Sequence, residues 1–236
     1  MGADGSNEDN GPVPGNEHGT HVGGIVAAVT NNNIGVAGVG QRLVVMPVKI
    51  GFDNPSSNSV SRSADGILYA AANGASVVNC SFGSASPSFA DVSVIEEATE
   101  LGALIVAAAG NAGSSQAFYP ASYPRVLSVA ATRDDDRLAF FTNTHSTVDV
   151  CAPGVAVYST VPNGRYDFLD GTSMASPVAA AIAGMVRLVQ PTLSPDETRA
   201  VVMASCDNID NMNGVFLGQF GVGRVNAENA VTSGAA

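Results

Sequence analysis

The sequence predicts an α/β protein with a mostly parallel central sheet and helices on both faces. Three observations predict it. Short apolar runs alternate with longer helical segments, the order that βαβ units require. The apolar runs have no polar side, as strands covered on both faces need. The composition is 45% hydrophobic and 13% charged with 26 Gly in 236 residues. That mix suits tight packing and short turns, and it argues against a coiled coil or a disordered chain. The length suits one domain, taken as residues 1–236.

Residues 1–17 are rich in Gly, Pro, Asn and Asp and read as a loop. A helix is expected from about Thr20 to Val29, with His18 in a Gly-flanked turn at its mouth. "TNNNIGVAGVG" is a turn cluster, and "LVVMPVKI" (43–50) reads as a buried strand. "SVSRSADGILYAAANG" reads as a helix ended by Gly74. "ASVVNCS" is a strand, "FADVSVIEEATELG" a helix closed by Gly102, and "ALIVAAAG", "RVLSVAAT" and "STVDVCAPG" are three more strands. "DGTSMASPVAAAIAGMVRLVQ" begins a long apolar helix. In "SPDETRAVVMAS" a further helix has Ser194 as N-cap, Pro195 at its first position and Glu197 at its third. "RDDDR" (133–137) reads as a solvated loop and residues 231–236 as a frayed tail.

Charge and cysteines narrow the functions. The net charge is −11, from 10 Lys+Arg against 21 Asp+Glu, and no basic stripe is present, so no nucleic-acid partner is expected. The acidity suits solubility or cation binding. No run of about 18 apolar residues is free of Gly and charge, so no membrane span is expected. "MGADGSNEDNGPVPG" lacks the apolar centre of a signal peptide. Cys80, Cys151 and Cys206 are an odd number and read as buried free thiols. Neither strand cysteine opens a helix or neighbours a histidine, which speaks against a thiolate nucleophile.

Three residues carry chemistry together that none carries alone. Ser173, in "DGTSMASP", follows Gly171 at a helix start, where exposed amides and the helix dipole favour negative charge. A plain N-cap serine would sit there equally well. Asn111 ends a strand in "AAAGNAGSS" and offers an amide donor to an oxyanion, although the same sequence also suits a simple turn. His18 is placed as a general base would be.

The stretches "HGTHVGGIVAA", "AAAGNAGSS" and "DGTSMASPVAAAIAG" resemble, in that order, the His, oxyanion-Asn and Ser blocks of the subtilisin-like serine proteases, or subtilases. The resemblance runs from about residue 16 to about 230 and takes in "SVVNCSFG", "YPASYPRVLSVAA" and "VDVCAPGVAVYST". It implies a three-layer subtilisin-like fold and a secreted or extracellular, monomeric serine endopeptidase acting on peptides or proteins. Ser173 would be the nucleophile and His18 its base. Asn111 and the Ser173 amide would bind the oxyanion. Ser81, Phe82 and Gly83 would pair with substrate backbone, and Ala108, Ala109 and Gly110 would form the other wall of the specificity pocket. Phe118 would stand at the floor, favouring small or medium P1 side chains. His21 would be structural, Met174 buried and open to oxidation, and His145 without a role. Catalysis would need no cofactor. Structural Ca²⁺ is implied at Val29, Asn32, Ile34 and Val36, and at Asp149 with the carbonyls of 121–126, where a simple Asn-rich turn and a solvated Asp are the alternative readings.

One part of the pattern departs from the family. Its chain order is Asp, His, Ser, and the Asp ends an apolar strand. Asp4 and Asp9 precede His18, and neither ends such a strand. The expectation is therefore an N-terminally incomplete domain. It would lack one strand of the sheet, and a missing N-terminal segment or propeptide would be its partner. The competing reading is a non-catalytic subtilase-like module that binds peptides or partners. An α/β-hydrolase esterase is set aside, because Ser173 lies in G-T-S-M-A and the histidine precedes it.

Overall fold

The computed structural model describes the backbone of residues 3–4 and residues 16–51 and 60–233. In chain order the elements are β1 (Ala3–Asp4), α1 (His18–Ala27), β2 (Val48–Lys49), α2 (Ser63–Ala72), β3 (Val77–Cys80), α3 (Phe89–Glu100), β4 (Leu104–Ala108), β5 (Leu127–Thr132) and β6 (Val150–Pro153). There follow β7 (Val157–Val161), β8 (Arg165–Leu169), α4 (Thr172–Val189), α5 (Pro195–Ala204), α6 (Asp210–Asn213), a 3₁₀ turn (Gly214–Phe216) and α7 (Ala227–Thr232).

The core of the fold is a four-stranded parallel sheet in the order β3-β4-β5-β6. Side chains alternate across each strand, and both faces are apolar. Leu104, Val106, Leu127, Val129 and Val150 pack against Ala179, Ile182 and Val186 of α4 and Val202 of α5. Ile105, Ala107 and Cys80 face the other way, against Ile67 of α2 and Ile95 and Ala98 of α3. This two-sided burial is why the strands read as unbroken apolar runs. The Gly/Ala richness of α4 lets it lie close on the sheet, with Ala175, Ala179, Ala181 and Ala183 fully buried. α4 is long and apolar enough to cross a membrane, and most of it is buried inside the protein.

Several boundaries differ from the sequence reading. α1 starts at His18 rather than near Thr20, because Asn16 Oδ1 accepts the His18 N–H at 2.8 Å and closes the first turn. Residues 3–4, expected in a loop, form β1 beside β2, with Ala3 opposite Val48 and Asp4 opposite Lys49. Most of the remaining loop expected before His18, with Asp9, lies outside the described residues, as does the end of the expected tail. Its start belongs to α7, which runs to Thr232. The strand expected over 43–50 is paired only at Val48–Lys49, and Val44 is 96% exposed. An apolar run needs a neighbour to pair with, and Leu43–Pro47 has none among the described residues. The "RDDDR" loop is less solvated than expected, since Asp136 bonds Arg224, which also holds Asp207.

The hairpin β7–β8 is absent from the sequence reading. Asn163-Gly164 at its tip carries positive φ at both positions, the signature of a tight hairpin turn. The hairpin braces α1: Ser159 Oγ donates to His21 O and Thr160 Oγ1 to Thr20 O. His21 is fully buried, with Nε2 near the carbonyls of Val157 and Asp167 at 3.0 and 3.2 Å, a structural placement as expected.

The two-stranded β1–β2 unit and the four-stranded sheet are not joined. Between them lies a cavity of about 1810 Å³. Val48 and Ile50 at the β2 end and Val77 and Val78 of β3 line it, and it reaches His18 and Ser173.

Candidate active site

The site gathers at the C-terminal ends of β3 and β4 and the N-terminus of α4. Gly110 and Asn111 follow β4, Ser81 follows β3, and Ser173 is the second residue of α4. His18 comes from the first turn of α1. His18, Ser81, Asn111 and Ser173 line one cavity.

Asn111 is held by its oxygen. Its Oδ1 accepts both the backbone N–H and the hydroxyl of Thr172, each at 2.8 Å. The Thr172 hydroxyl in turn accepts the Gly110 N–H at 3.2 Å. Thr172 is fully buried, so this orientation is fixed from inside. With Oδ1 held by Thr172, the amide nitrogen of Asn111 lies beside Gly171. A Cβ placed on Gly171 would stand 3.4 Å from Asn111 Nδ2 and 3.5 Å from the Ser173 backbone nitrogen. Both nitrogens therefore border one space that the missing side chain of Gly171 leaves open, and its φ of +151° is itself a glycine conformation.

Ser173 Oγ donates to the carbonyl of Ser81 at 3.2 Å. Ser81 Oγ donates back to the carbonyl of Ser173 at 2.8 Å. His18 is half-buried. Burial first, and then the neighbouring His21, holds its imidazole below the ordinary value of 6.5. Among the described residues no carboxylate is hydrogen-bonded to its ring. The thiols are no competitors: burial pushes Cys80 and Cys206 up to about 12 and Cys151 upward too.

Ser81–Gly83 line the cavity, Ala108 and Ala109 are buried, and Phe118 lies close to both Gly83 and Gly110. A Cβ on Gly83 would come within 2.6 Å of the Phe118 ring, and one on Gly110 within 3.0 Å. The ring thus fills the space that two glycines open. Ser84 and Tyr119 are joined through paired backbone hydrogen bonds of 2.8 Å.

The two expected cation sites fare differently. Asp149 is buried and already partnered: Oδ2 accepts the Ser128 N–H at 2.9 Å and Oδ1 accepts the Arg199 guanidinium. This corrects the expectation there, because the arginine supplies the positive charge that a cation would. Burial raises the Asp149 carboxyl while Ser128 and Arg199 oppose the rise. Val29, Asn32, Ile34 and Val36 do border one hollow of about 390 Å³ under Tyr166. Asn32 Oδ1 there accepts the Ile34 N–H at 3.0 Å. Ca²⁺ takes six to eight oxygens, and no cluster of acidic, His or Cys ligands is found among the described residues. The residues present fit Ca²⁺ incompletely.

Comparison with known proteins decides the family, since the Subtilase family (peptidase S8) model matches residues 2–223. The chain is a subtilase. The thermophilic serine proteinase of Bacillus sp. (strain AK1) is 41% identical over 231 residues, 98% of this chain and 56% of that protein. Thermitase of Thermoactinomyces vulgaris is 40% identical over 223 residues, covering 94% of this chain and 77% of thermitase. The chain therefore spans little more than half the length of the first of these relatives. Among solved structures, a protease from Pseudoalteromonas arctica superposes with a TM-score of 0.82 at 32% identity, over 92% of this chain and 70% of that one. The subtilase fold, an α/β fold with a parallel sheet between helices, is thus shared with known proteases.

The sequence reading did not single out Thr172 or Asn79, which bond Asn111 and Ser81. Thr172 lies inside the quoted Ser block, so the signal is present there and only its use was unread. Asn79 lies in the quoted "SVVNCSFG", two residues before Ser81, but its other partner, Ser176, is 97 residues away.

Proposed function

We propose that this subtilase domain is a serine endopeptidase whose machinery is His18, Ser173 and Asn111. The observation that carries the reading is that Asn111 Nδ2 and Ser173 N both border the space Gly171 leaves open. Ser173 Oγ attacks the scissile carbonyl and its proton passes to His18. The oxygen that becomes negative enters the space beside Gly171 and takes both N–H groups, which were oriented before the reaction began. His18 then protonates the leaving amine, and water, deprotonated by His18, releases the acyl group. Substrate backbone lies along Ser81–Gly83 as an added strand. Phe118 occupies the room beside Gly83 and Gly110, so small P1 side chains are favoured.

The acid that orients His18 is proposed to arrive on an extended segment in the cavity between β2 and β3. The support is geometric. Val48 and Ile50 beside β2 and Val77 and Val78 of β3 line the cavity, which also reaches His18. β1, which ends at Asp4, already pairs with β2, so a strand there would lie between the β1–β2 unit and β3 and join the two into one parallel sheet. The partner is thus an apolar strand ending in Asp, beside a peptide or protein substrate. Calcium is given no catalytic step; bound at the 29–36 loop it would only stiffen a turn. A monomer working outside the cell fits membership of the family.

A second reading, a non-catalytic binding module, is favoured by one observation: Ser173 Oγ–H is turned to Ser81 O, while among the described residues no carboxylate is bonded to the His18 ring. Covalent labelling by a fluorophosphonate separates the two. Labelling at Ser173, lost in Ser173→Ala, supports the peptidase, and an unreactive Ser173 overturns it.

A further inference from the structure

Ser173 lies four residues before Pro177 in α4. A helical carbonyl is normally bonded by the N–H four residues on, and proline has none. The nucleophile's own carbonyl therefore lacks its intrahelical donor. The structure supplies a replacement from another element, since Ser81 Oγ donates to Ser173 O at 2.8 Å.

The direction of that bond is set from deeper inside. Ser176, fully buried, donates its hydroxyl to Asn79 Oδ1 at 2.6 Å. This turns Asn79 Nδ2 towards Ser81, whose Oγ accepts it at 2.9 Å. A hydroxyl has one proton. With its lone pair engaged by Asn79, Ser81 sends that proton to Ser173 O. The chain runs Ser176 to Asn79 to Ser81 to Ser173, and every link has a forced polarity. It starts and ends on α4, crosses to β3, and spans the turn of helix that Pro177 leaves unbonded.

We propose that Asn79 and Ser81, anchored by Ser176, are positioning residues for the nucleophile, replacing the hydrogen bond that Pro177 withholds from the Ser173 carbonyl. The proposal rests on Ser173 being the nucleophile. The chain fixes the backbone of Ser173, and with it both the Oγ and the N–H that faces the oxyanion. Asn79 and Ser81 Oγ act on the reaction only through that backbone.

The test measures the second-order rate of fluorophosphonate labelling, by intact mass, on the full chain. Ser81→Ala and Asn79→Ala should each slow labelling roughly tenfold, the size expected for one directional hydrogen bond. The double variant should be no slower than Ser81→Ala, because both cut one chain. Ser81→Thr, which keeps the hydroxyl, should lose less than Ser81→Ala. The decisive arm is Pro177→Ala, which returns an N–H to Ser173 O. In that background Ser81→Ala should cost little. An equal loss with and without Pro177, or no loss from Ser81→Ala, overturns the proposal and leaves the peptidase reading standing. No labelling of the unsubstituted chain at Ser173 overturns both. Should Ser81→Ala fail to fold, Asn79→Ala with and without Pro177→Ala makes the same distinction: a loss confined to the Pro177 background supports the proposal, and an equal loss in both overturns it.

Discussion

The two halves of the site rest on different foundations. Asn111 and Ser173 stand at the ends of β4 and α4, and the sheet and helix beneath them are almost entirely buried. Each polar atom that fixes them has a partner: Asn111 Oδ1 on Thr172, Ser173 O on Ser81. His18 stands on α1, whose inner side borders a large cavity, and the segment before β2 leaves Val44 almost fully exposed. The hairpin β7–β8 braces α1, and α4 packs against it as well. On the proposed mechanism, oxyanion binding would rest on strands already in place, whereas control of the base would depend on the segment proposed beside β3.

The largest effect expected lies in the well-supported half. Ser173→Ala should abolish covalent phosphonate labelling and leave the fold intact, as read by intact mass and by circular dichroism. Residual labelling at another residue would move the nucleophile elsewhere. Next in size is the oxyanion pair. Asn111→Ala should lower kcat by roughly 10²–10³ with KM little changed, the loss known for the equivalent kind of donor in a subtilisin. Gly171→Ala should act in the same direction, because its methyl would stand beside both donors. A change in KM alone would assign Asn111 to substrate binding.

Much of this half is legible in the sequence. The Ser and Asn blocks are local, and the strands announce themselves as apolar on both faces. What is illegible is long-range. The bond from Thr172 to Asn111 joins residues 61 apart, and the Ser81–Ser173 exchange joins residues 92 apart. Asp149 shows the same limit: its carboxylate suggests a cation, and only the fold brings Arg199 against it. The strand expected at 43–50 fails for another reason. Its apolar pattern states a need for burial but cannot state whether a neighbouring strand is present. The β7–β8 hairpin does carry a local signal, the Asn163-Gly164 pair at its tip.

Smaller effects sharpen the contrast. Phe118→Gly should shift preference from Ala towards Phe at P1 by roughly 10- to 100-fold in kcat/KM, measured on a P1 library, since the ring fills the space between Gly83 and Gly110. An unchanged profile would place the specificity pocket elsewhere. The smallest effect is a shift in pH. Burial lowers the His18 pKa, so the neutral base persists below 6.5, and labelling should fall only as pH drops through the lowered value. The linkage has the same sign: the folded state resists the His18 proton, so its contribution to stability is present above 6.5 and declines as pH falls. A carboxylate brought beside the ring should move the acid limb upward. An acid limb that starts above 6.5 in the chain alone would mean that a carboxylate already serves His18.

The most direct test fills the gap. kcat/KM for a peptide substrate is compared for residues 1–236 alone and with a Val/Ile-rich strand of about seven residues ending in Asp, fused ahead of residue 1 or added as a peptide. A strand that seats between the β1–β2 unit and β3 and sets a carboxylate on His18 should raise both melting temperature and kcat/KM, the latter by roughly 10⁴-fold. The same strand ending in Asn should keep the gain in melting temperature and lose most of the gain in rate. Full activity from residues 1–236 alone, or a melting temperature unmoved by the strand, would contradict the account.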